Sequence, residues 1–200
     1  MNSRMDRAYR LLYAVIFPFF QLFHPVRAIG REHIPEGAAI ICPNHTTASD
    51  PFFAVFAFQR KYPLRAMAKI EIMRVPIIGW LLGRAGVFGV DRSTADVNAV
   101  KKSMRFLKGG DKLMMFPEGT RVGEGENVNA KAGAAMLSTR LNVPIIPVYI
   151  PAKKRWFRPT TVVIGQPYQP QVAGKRGTPE EYHAIAEDLM ERIRHLEGQA

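Results

Sequence analysis

Two hundred residues, 47% of them hydrophobic, suffice for a single domain with a buried core and leave little room for a second. A formal net charge of +11 directs attention to anionic partners, whether nucleic acid, an anionic membrane or an anionic small substrate. The one cysteine, Cys42, excludes an internal disulfide framework; set in an apolar run, it reads as a buried, inert thiol in a reducing compartment.

Residues 11–23 are apolar except for Gln21 and rich in aromatics: Tyr13, Phe17, Phe19, Phe20 and Phe23. Arg4, Arg7 and Arg10 precede this run, and Arg27 and Arg31 follow it. A helix needs about 20 apolar residues to cross a bilayer core, and this run is shorter and holds Pro18. It predicts an amphipathic helix lying in a membrane interface, residues 1–27, ahead of a main domain over residues 28–200. Two other readings stay open. One is a helix packed on its own domain; the other is a signal peptide with Val26-Arg27-Ala28 as a loose cleavage site, against which Asp6 and Arg27 both speak.

From residue 38 onward, short apolar runs alternate with helical stretches. Strands are predicted over residues 39–42, 64–68, 87–90, 113–116, 145–150 and 161–164, several of them continuous apolar runs as strands covered on both faces require. A helix over about residues 94–108 carries a stripe of Val97, Val100, Met104 and Leu107 and stops at Gly109-Gly110. The last helix opens on Thr178-Pro179-Glu180-Glu181, a capping box, with Tyr182, Ile185, Leu189, Ile193 and Leu196 on one face. The alternation predicts an α/β domain with a mixed, largely parallel sheet flanked by helices. No zinc spacing, Walker loop, dinucleotide fingerprint or nucleic-acid-binding signature occurs, and no metal-ligand set is visible.

The segment His45-Thr46-Thr47-Ala48-Ser49-Asp50 places a carboxylate five residues after a histidine. On one helix these side chains would point about 140° apart, so the pair cannot work from a single helix face. Instead, Pro43-Asn44 exits the strand over residues 39–42, and Asp50-Pro51 starts a helix. His45 then sits on a loop and Asp50 faces back toward it, accepting from one ring nitrogen and leaving the other for a hydroxyl proton. Taken alone, the same residues also fit a surface histidine beside a helix-capping aspartate.

Phe116-Pro117-Glu118-Gly119-Thr120-Arg121 leaves a strand end as a tight loop. Gly119 permits positive φ and close backbone approach, Thr120 donates to an anion, and Arg121 grips phosphate in a bidentate fork. A solvated turn with an exposed Glu–Arg pair is the plainer alternative. Lys153-Lys154-Arg155-Trp156-Phe157-Arg158 interleaves cations with aromatics, a pattern that suits lipid headgroups or a solvated loop.

Four blocks in order carry a resemblance. They are Asn44-His45 with Asp50, Gly86-Val87-Phe88-Gly89-Val90-Asp91-Arg92, the run from Phe116 to Arg121 above, and Val143-Pro144-Ile145-Ile146-Pro147-Val148. Together they resemble the glycerolipid acyltransferase family, most closely its 1-acylglycerol-3-phosphate acyltransferases. Ala68-Lys69-Ile70-Glu71 with Pro76 and Gly79 is similar to that family's intermediate segment. Departures fall at Gly89, at Val122 and in Asn129-Ala130-Lys131-Ala132-Gly133, which lacks the usual aromatic; they bear on chain and headgroup preference.

The resemblance implies acyl transfer from a thioester, on coenzyme A or acyl carrier protein, to the sn-2 hydroxyl of 1-acylglycerol 3-phosphate. The product would be phosphatidic acid, made without a cofactor or metal at the cytoplasmic face of the cell membrane. His45 is then the base and Asp50 its partner; Arg121, Arg92 and Lys69 hold the acceptor phosphate; Glu118 bonds a glycerol hydroxyl or braces an arginine. Oxyanion donors are sought at the Thr120 N–H and at the start of the helix after Asp50. Two alternatives remain: a related acyltransferase using glycerol 3-phosphate or another lysolipid, and a non-catalytic basic module binding membrane or nucleic acid.

Overall fold

A computed structural model of the chain describes residues 3–91, 96–121, 130–174 and 176–200. Its elements in chain order begin with α1 (Ser3–Phe23), β1 (Val26–Ile29), β2 (Ala39–Pro43), α2 (Asp50–Phe58), β3 (Leu64–Lys69), α3 (Ile70–Arg74) and α4 (Pro76–Arg84). They continue with β4 (Phe88–Val90), α5 (Val97–Lys108), β5 (Lys112–Met114), α6 (Gly133–Leu141), β6 (Ile145–Tyr149), β7 (Thr160–Ile164) and α7 (Pro179–His195).

All seven strands join one sheet in the order β1-β7-β6-β2-β5-β3-β4. β6, β2, β5, β3 and β4 run parallel; β7 pairs antiparallel to β6, and β1 parallel to β7. The sheet is therefore mixed and largely parallel, as predicted. Its five parallel strands end at one edge, which is where ligands bind in open α/β sheets.

β2 is buried at every position because helices cover both its faces. Ile41 packs in one layer with Phe53, Ala54, Ala57 and Phe58 of α2. Ile40 and Cys42 point the other way, toward Phe106 and Leu107 of α5, Leu137 of α6, and Leu189 and Ile193 of α7. Each such side chain contributes on the order of 1.5–3 kcal/mol by leaving water. Cys42 is fully buried, and burial pushes its thiol up, away from reactivity.

Three sequence expectations change. Val26-Arg27-Ala28-Ile29, predicted only as the flank of the first helix, forms the edge strand β1 in register with β7. α5 buries Ala99, Ser103, Phe106 and Leu107, while Val97 is exposed, so the buried stripe is rotated from the predicted one. Small residues let α5 approach the sheet, and Ser103 satisfies its hydroxyl internally by donating to Ala99 O at 2.7 Å. Finally, β5 ends at Met114 rather than at 116: Pro117 has no N–H for the ladder, and Phe116 leaves the sheet. The predicted capping box of α7 is present, Glu181 N donating to Thr178 Oγ1 and Thr178 N to Glu181 Oε2.

α1 runs through Pro18, which is exposed, as is Ala14, the residue whose carbonyl Pro18 cannot serve. One face packs Tyr9 and Tyr13 against Phe56 of α2 and Ala85 after α4. Asp6 on the same face ion-pairs with Arg65 of β3, which also pairs with Asp111 at 2.8 Å. The opposite face exposes Leu11, Val15, Phe19 and Leu22. No helix among the described residues is long and apolar enough to cross a membrane.

Candidate active site

β2 and β5 lie side by side and parallel, so the loops that leave their carboxyl ends meet. The first carries His45 and the second Glu118, and the His45 backbone N–H donates to Glu118 Oε1 at 3.1 Å. The Phe116 ring, freed from the strand, stacks on the imidazole at 4.0 Å between centroids and 22° between planes. Asn44 fixes the start of the first loop from the other neighbour: its amide donates to Ile150 O at 2.9 Å and accepts from Ile150 N at 2.7 Å. His45 thus hangs on three strands.

Asp50 opens α2 with Pro51 behind it, and the loop folds back so that His45 Nδ1 lies 3.1 Å from Asp50 Oδ2. The carboxylate is fully buried and collects further donors. Thr46 N and Thr47 N reach Oδ2 at 2.7 Å each, Thr47 Oγ1 donates to Oδ1 at 2.8 Å, and Lys154 Nζ stands 2.7 Å from Oδ1. Burial pushes this carboxyl up, but the bonds from His45, Lys154 and Thr47 outweigh it and hold Asp50 down to about 2. An ionised carboxylate only accepts, so the shared proton sits on Nδ1, and in the neutral ring Nε2 carries the lone pair.

Glu118 is buried, and its Oε2 has no hydrogen-bond partner among the described residues. Burial, with the negative charge of Asp50 adding to it, pushes the Glu118 carboxyl up. Gly119 turns at φ +71, its N–H donating to Phe116 O at 3.1 Å, and a Cβ there would stand 3.1 Å from Lys131 Cγ. The glycine is needed for both reasons. Thr120 and Arg121 follow, both exposed at the mouth of the loop.

Of the predicted site residues, then, His45, Asp50 and Glu118 are brought together, with Gly119 shaping the turn beside them. Lys69 ends β3 at the same sheet edge but is half exposed, with Glu71 as its ion-pair partner at 3.4 Å. Arg92 lies outside the described residues. The start of α2 offers no oxyanion donors, because Phe52 N and Phe53 N already donate to Ser49 O. Two members of the site were missed in the sequence. Asn44 was read as part of a strand exit and of the first block of the resemblance, with no role given to it, and Lys154 only as one cation of a solvated or lipid-facing string; the usable signal was that this string follows the end of a parallel strand.

The chain has relatives among known proteins. A family model described as Acyltransferase matches residues 25–151. The chain is 30% identical over 130 residues to a 1-acyl-sn-glycerol-3-phosphate acyltransferase of Pseudomonas aeruginosa, covering 64% of this chain and 49% of that protein. It is 34% identical over 114 residues to the enzyme of that name from Streptococcus pneumoniae, covering 56% and 41%. The chain spans less than half the length of either relative. Among solved structures, a 1-acyl-sn-glycerophosphate acyltransferase from Thermotoga maritima aligns with a TM-score of 0.65 over 98% of this chain and 78% of that one. At 22% identity, that likeness is one of fold.

Proposed function

The chain belongs to the acyltransferase family, and from that premise we propose that it moves a fatty acyl group from an acyl thioester to the sn-2 hydroxyl of 1-acylglycerol 3-phosphate, yielding phosphatidic acid. The donor is acyl-coenzyme A or acyl-carrier protein. The observation that carries the reading is the imidazole held at Nδ1 by an ionised, buried carboxylate, with Nε2 left as a base.

His45 Nε2 takes the acceptor hydroxyl proton as the oxygen attacks the thioester carbonyl. The tetrahedral intermediate then collapses, expelling the thiolate, and the imidazolium returns its proton to that sulfur. Asp50 fixes the ring and stabilises the imidazolium. A base so placed contributes roughly 10²–10⁴-fold. Stacking on Phe116 further restricts the ring, which suits a group that must meet one hydroxyl in one orientation. Arg121 and Lys69 form the cationic rim for the acceptor phosphate, Arg92 is assigned the same role by resemblance alone, and Glu118, Gly119 and Thr120 form the loop against which the glycerol lies.

In this reading α1 forms the membrane-facing element, and the sheet from β1 onward, with its covering helices, the catalytic domain. The outward face of α1, with Ile77 and Trp80 of α4 and with Trp156 and Phe157, rests on the anionic cytoplasmic surface of the membrane, where the lysolipid is found. Purified protein given lysophosphatidate and acyl-coenzyme A should release free thiol in proportion to phosphatidic acid formed. His45→Ala should abolish that release while the protein still melts cooperatively. Wild-type release without lysophosphatidate dependence would overturn the assignment.

A further inference from the structure

Every other member of the string Lys153-Lys154-Arg155-Trp156-Phe157-Arg158 is exposed, but the Lys154 side chain is only 6% exposed. Its Nζ stands 2.7 Å from Asp50 Oδ1, on the oxygen opposite the one that meets His45. It also lies 3.1 Å from Thr47 Oγ1 and 5.5 Å from the centroid of the Phe53 ring. Burying an ammonium is costly unless a partner compensates it, so the contact with Asp50 holds the lysine in place.

Lys154 is one of several groups that hold Asp50 charged and in place. Two backbone N–H groups, the Thr47 hydroxyl and the imidazole also donate to the carboxylate. What the ammonium adds is charge. Two carboxylates face the imidazole: Asp50 through Nδ1, and Glu118 through the His45 backbone N–H. Both favour imidazolium, and an imidazolium cannot accept the hydroxyl proton. Among the described residues, Phe116 on the ring face is neutral, Lys131 packs beyond Gly119, and the rim cations Arg121 and Lys69 are exposed to screening water, Lys69 being paired with Glu71 as well. The positive charge on the far side of Asp50 offsets that pull.

We propose that Lys154 is a positioning residue that acts through Asp50, keeping His45 unprotonated and ready as a base at neutral pH. The inference rests on the acyl-transfer reading of the site. It makes β6 and the segment after it a third contributor to the catalytic pair, beside the loops after β2 and β5.

The test compares the full-length wild type with Lys154→Met, Lys154→Gln and Lys154→Arg. Two quantities are followed against pH: kcat/KM by thiol release, and the His45 ring resonances by NMR. Without the ammonium, the acid limb of kcat/KM and the ring titration should both move upward by about one pH unit. Lys154→Met should then lose more activity at pH 6 than at pH 8, by up to about tenfold, relative to wild type. Lys154→Arg should restore the wild-type limb. Lys154→Gln, which keeps a donor for Asp50 Oδ1, covers the case in which the apolar variant does not fold. A uniform loss of activity with limb and titration unmoved, or a limb that moves equally in Lys154→Arg, would overturn the proposal. If the wild type transfers no acyl group, the functional reading fails, and the ring titration alone still decides what Lys154 does.

Discussion

Asp50 is the residue on which most of the local structure converges, and its protonation is a stability term as well as a catalytic one. Its carboxyl is held at about 2 in the fold against an ordinary 3.8, so the folded chain binds this proton less readily than the unfolded chain. That stabilisation is complete above the unfolded value and is lost as pH falls from about 4 toward 2; it amounts to about 2 kcal/mol. Asp50→Asn lacks it, so the Tm gap between wild type and variant should narrow steadily as pH falls below 4. The same variant should lower kcat by at least about 10²-fold, because an amide neither fixes the Nδ1–H tautomer nor stabilises imidazolium. Glu118 separates two roles in a different way. Glu118→Gln keeps an acceptor for the His45 N–H and should melt within about 1 kcal/mol of wild type, whereas Glu118→Ala strands that buried donor and should cost about 1–3 kcal/mol by denaturant titration. The His45–Asp50 pair was legible in the sequence because it is local: strand exit, short loop and helix start fix both ends within six residues. Lys154 and the Asn44–Ile150 bonds were not, because they join segments more than 100 residues apart, and only the parallel pairing of β2 with β6 brings them together.

At the scale of elements, what could be read in advance depended on how much of each segment is buried. β2, β6 and β7 sit deep enough that buried apolar residues mark them, and β3, though only its first two residues are buried, still keeps apolar residues at 64, 66, 67 and 68; each of the four lies within one residue of its predicted bounds. β1 is an edge strand of four residues alternating half-buried and exposed, with Arg27 interrupting it, so no continuous apolar run announces it. α5 misled in phase, since a stripe of Val97, Val100 and Met104 is more hydrophobic than the Ala99 and Ser103 that actually face the sheet; helix-to-sheet distance favoured small side chains over apolar ones. The turn at Gly119 is the element most exposed to a single change. Gly119→Ala would place a side chain at φ +71, with its Cβ 3.1 Å from Lys131 Cγ. The left-handed conformation alone costs about 1–2 kcal/mol. The turn should relieve this by opening, carrying Glu118 off the His45 N–H. The expected result is a lower Tm together with a fall in kcat, whereas Thr178→Ala, which removes the capping box of α7, should cost about 1 kcal/mol in Tm and leave kcat unchanged.

For the molecule as a whole, the question is why a helix with a well-packed inner face should present an equally apolar outer one. Tyr9 and Tyr13 secure α1 to the domain, and the Asp6–Arg65 pair anchors its first turn, so the outward side chains are not needed for folding. Leu11, Phe19 and Leu22 are each about two-thirds exposed, and Trp156 and Phe157 continue the patch past Phe23. Rings and aliphatic chains left in water at this density lose hydrophobic free energy that contact with acyl chains would restore, about 1.5–3 kcal/mol for each one fully buried. The net charge of +11 adds an attraction to anionic headgroups that salt screens within about 8–10 Å. The two contributions can be told apart by sedimentation with vesicles containing anionic lipid. Phe19→Glu combined with Leu22→Glu should weaken vesicle binding by at least tenfold and leave the Tm unchanged, because neither side chain is buried in the fold. Raising salt should weaken wild-type binding further only where the vesicles carry anionic lipid, and turnover of lysophosphatidate presented in those vesicles should fall in step with binding. Binding that withstands the double substitution would place the membrane contact on another surface, and α1 would then be a structural helix whose outer face has some other use.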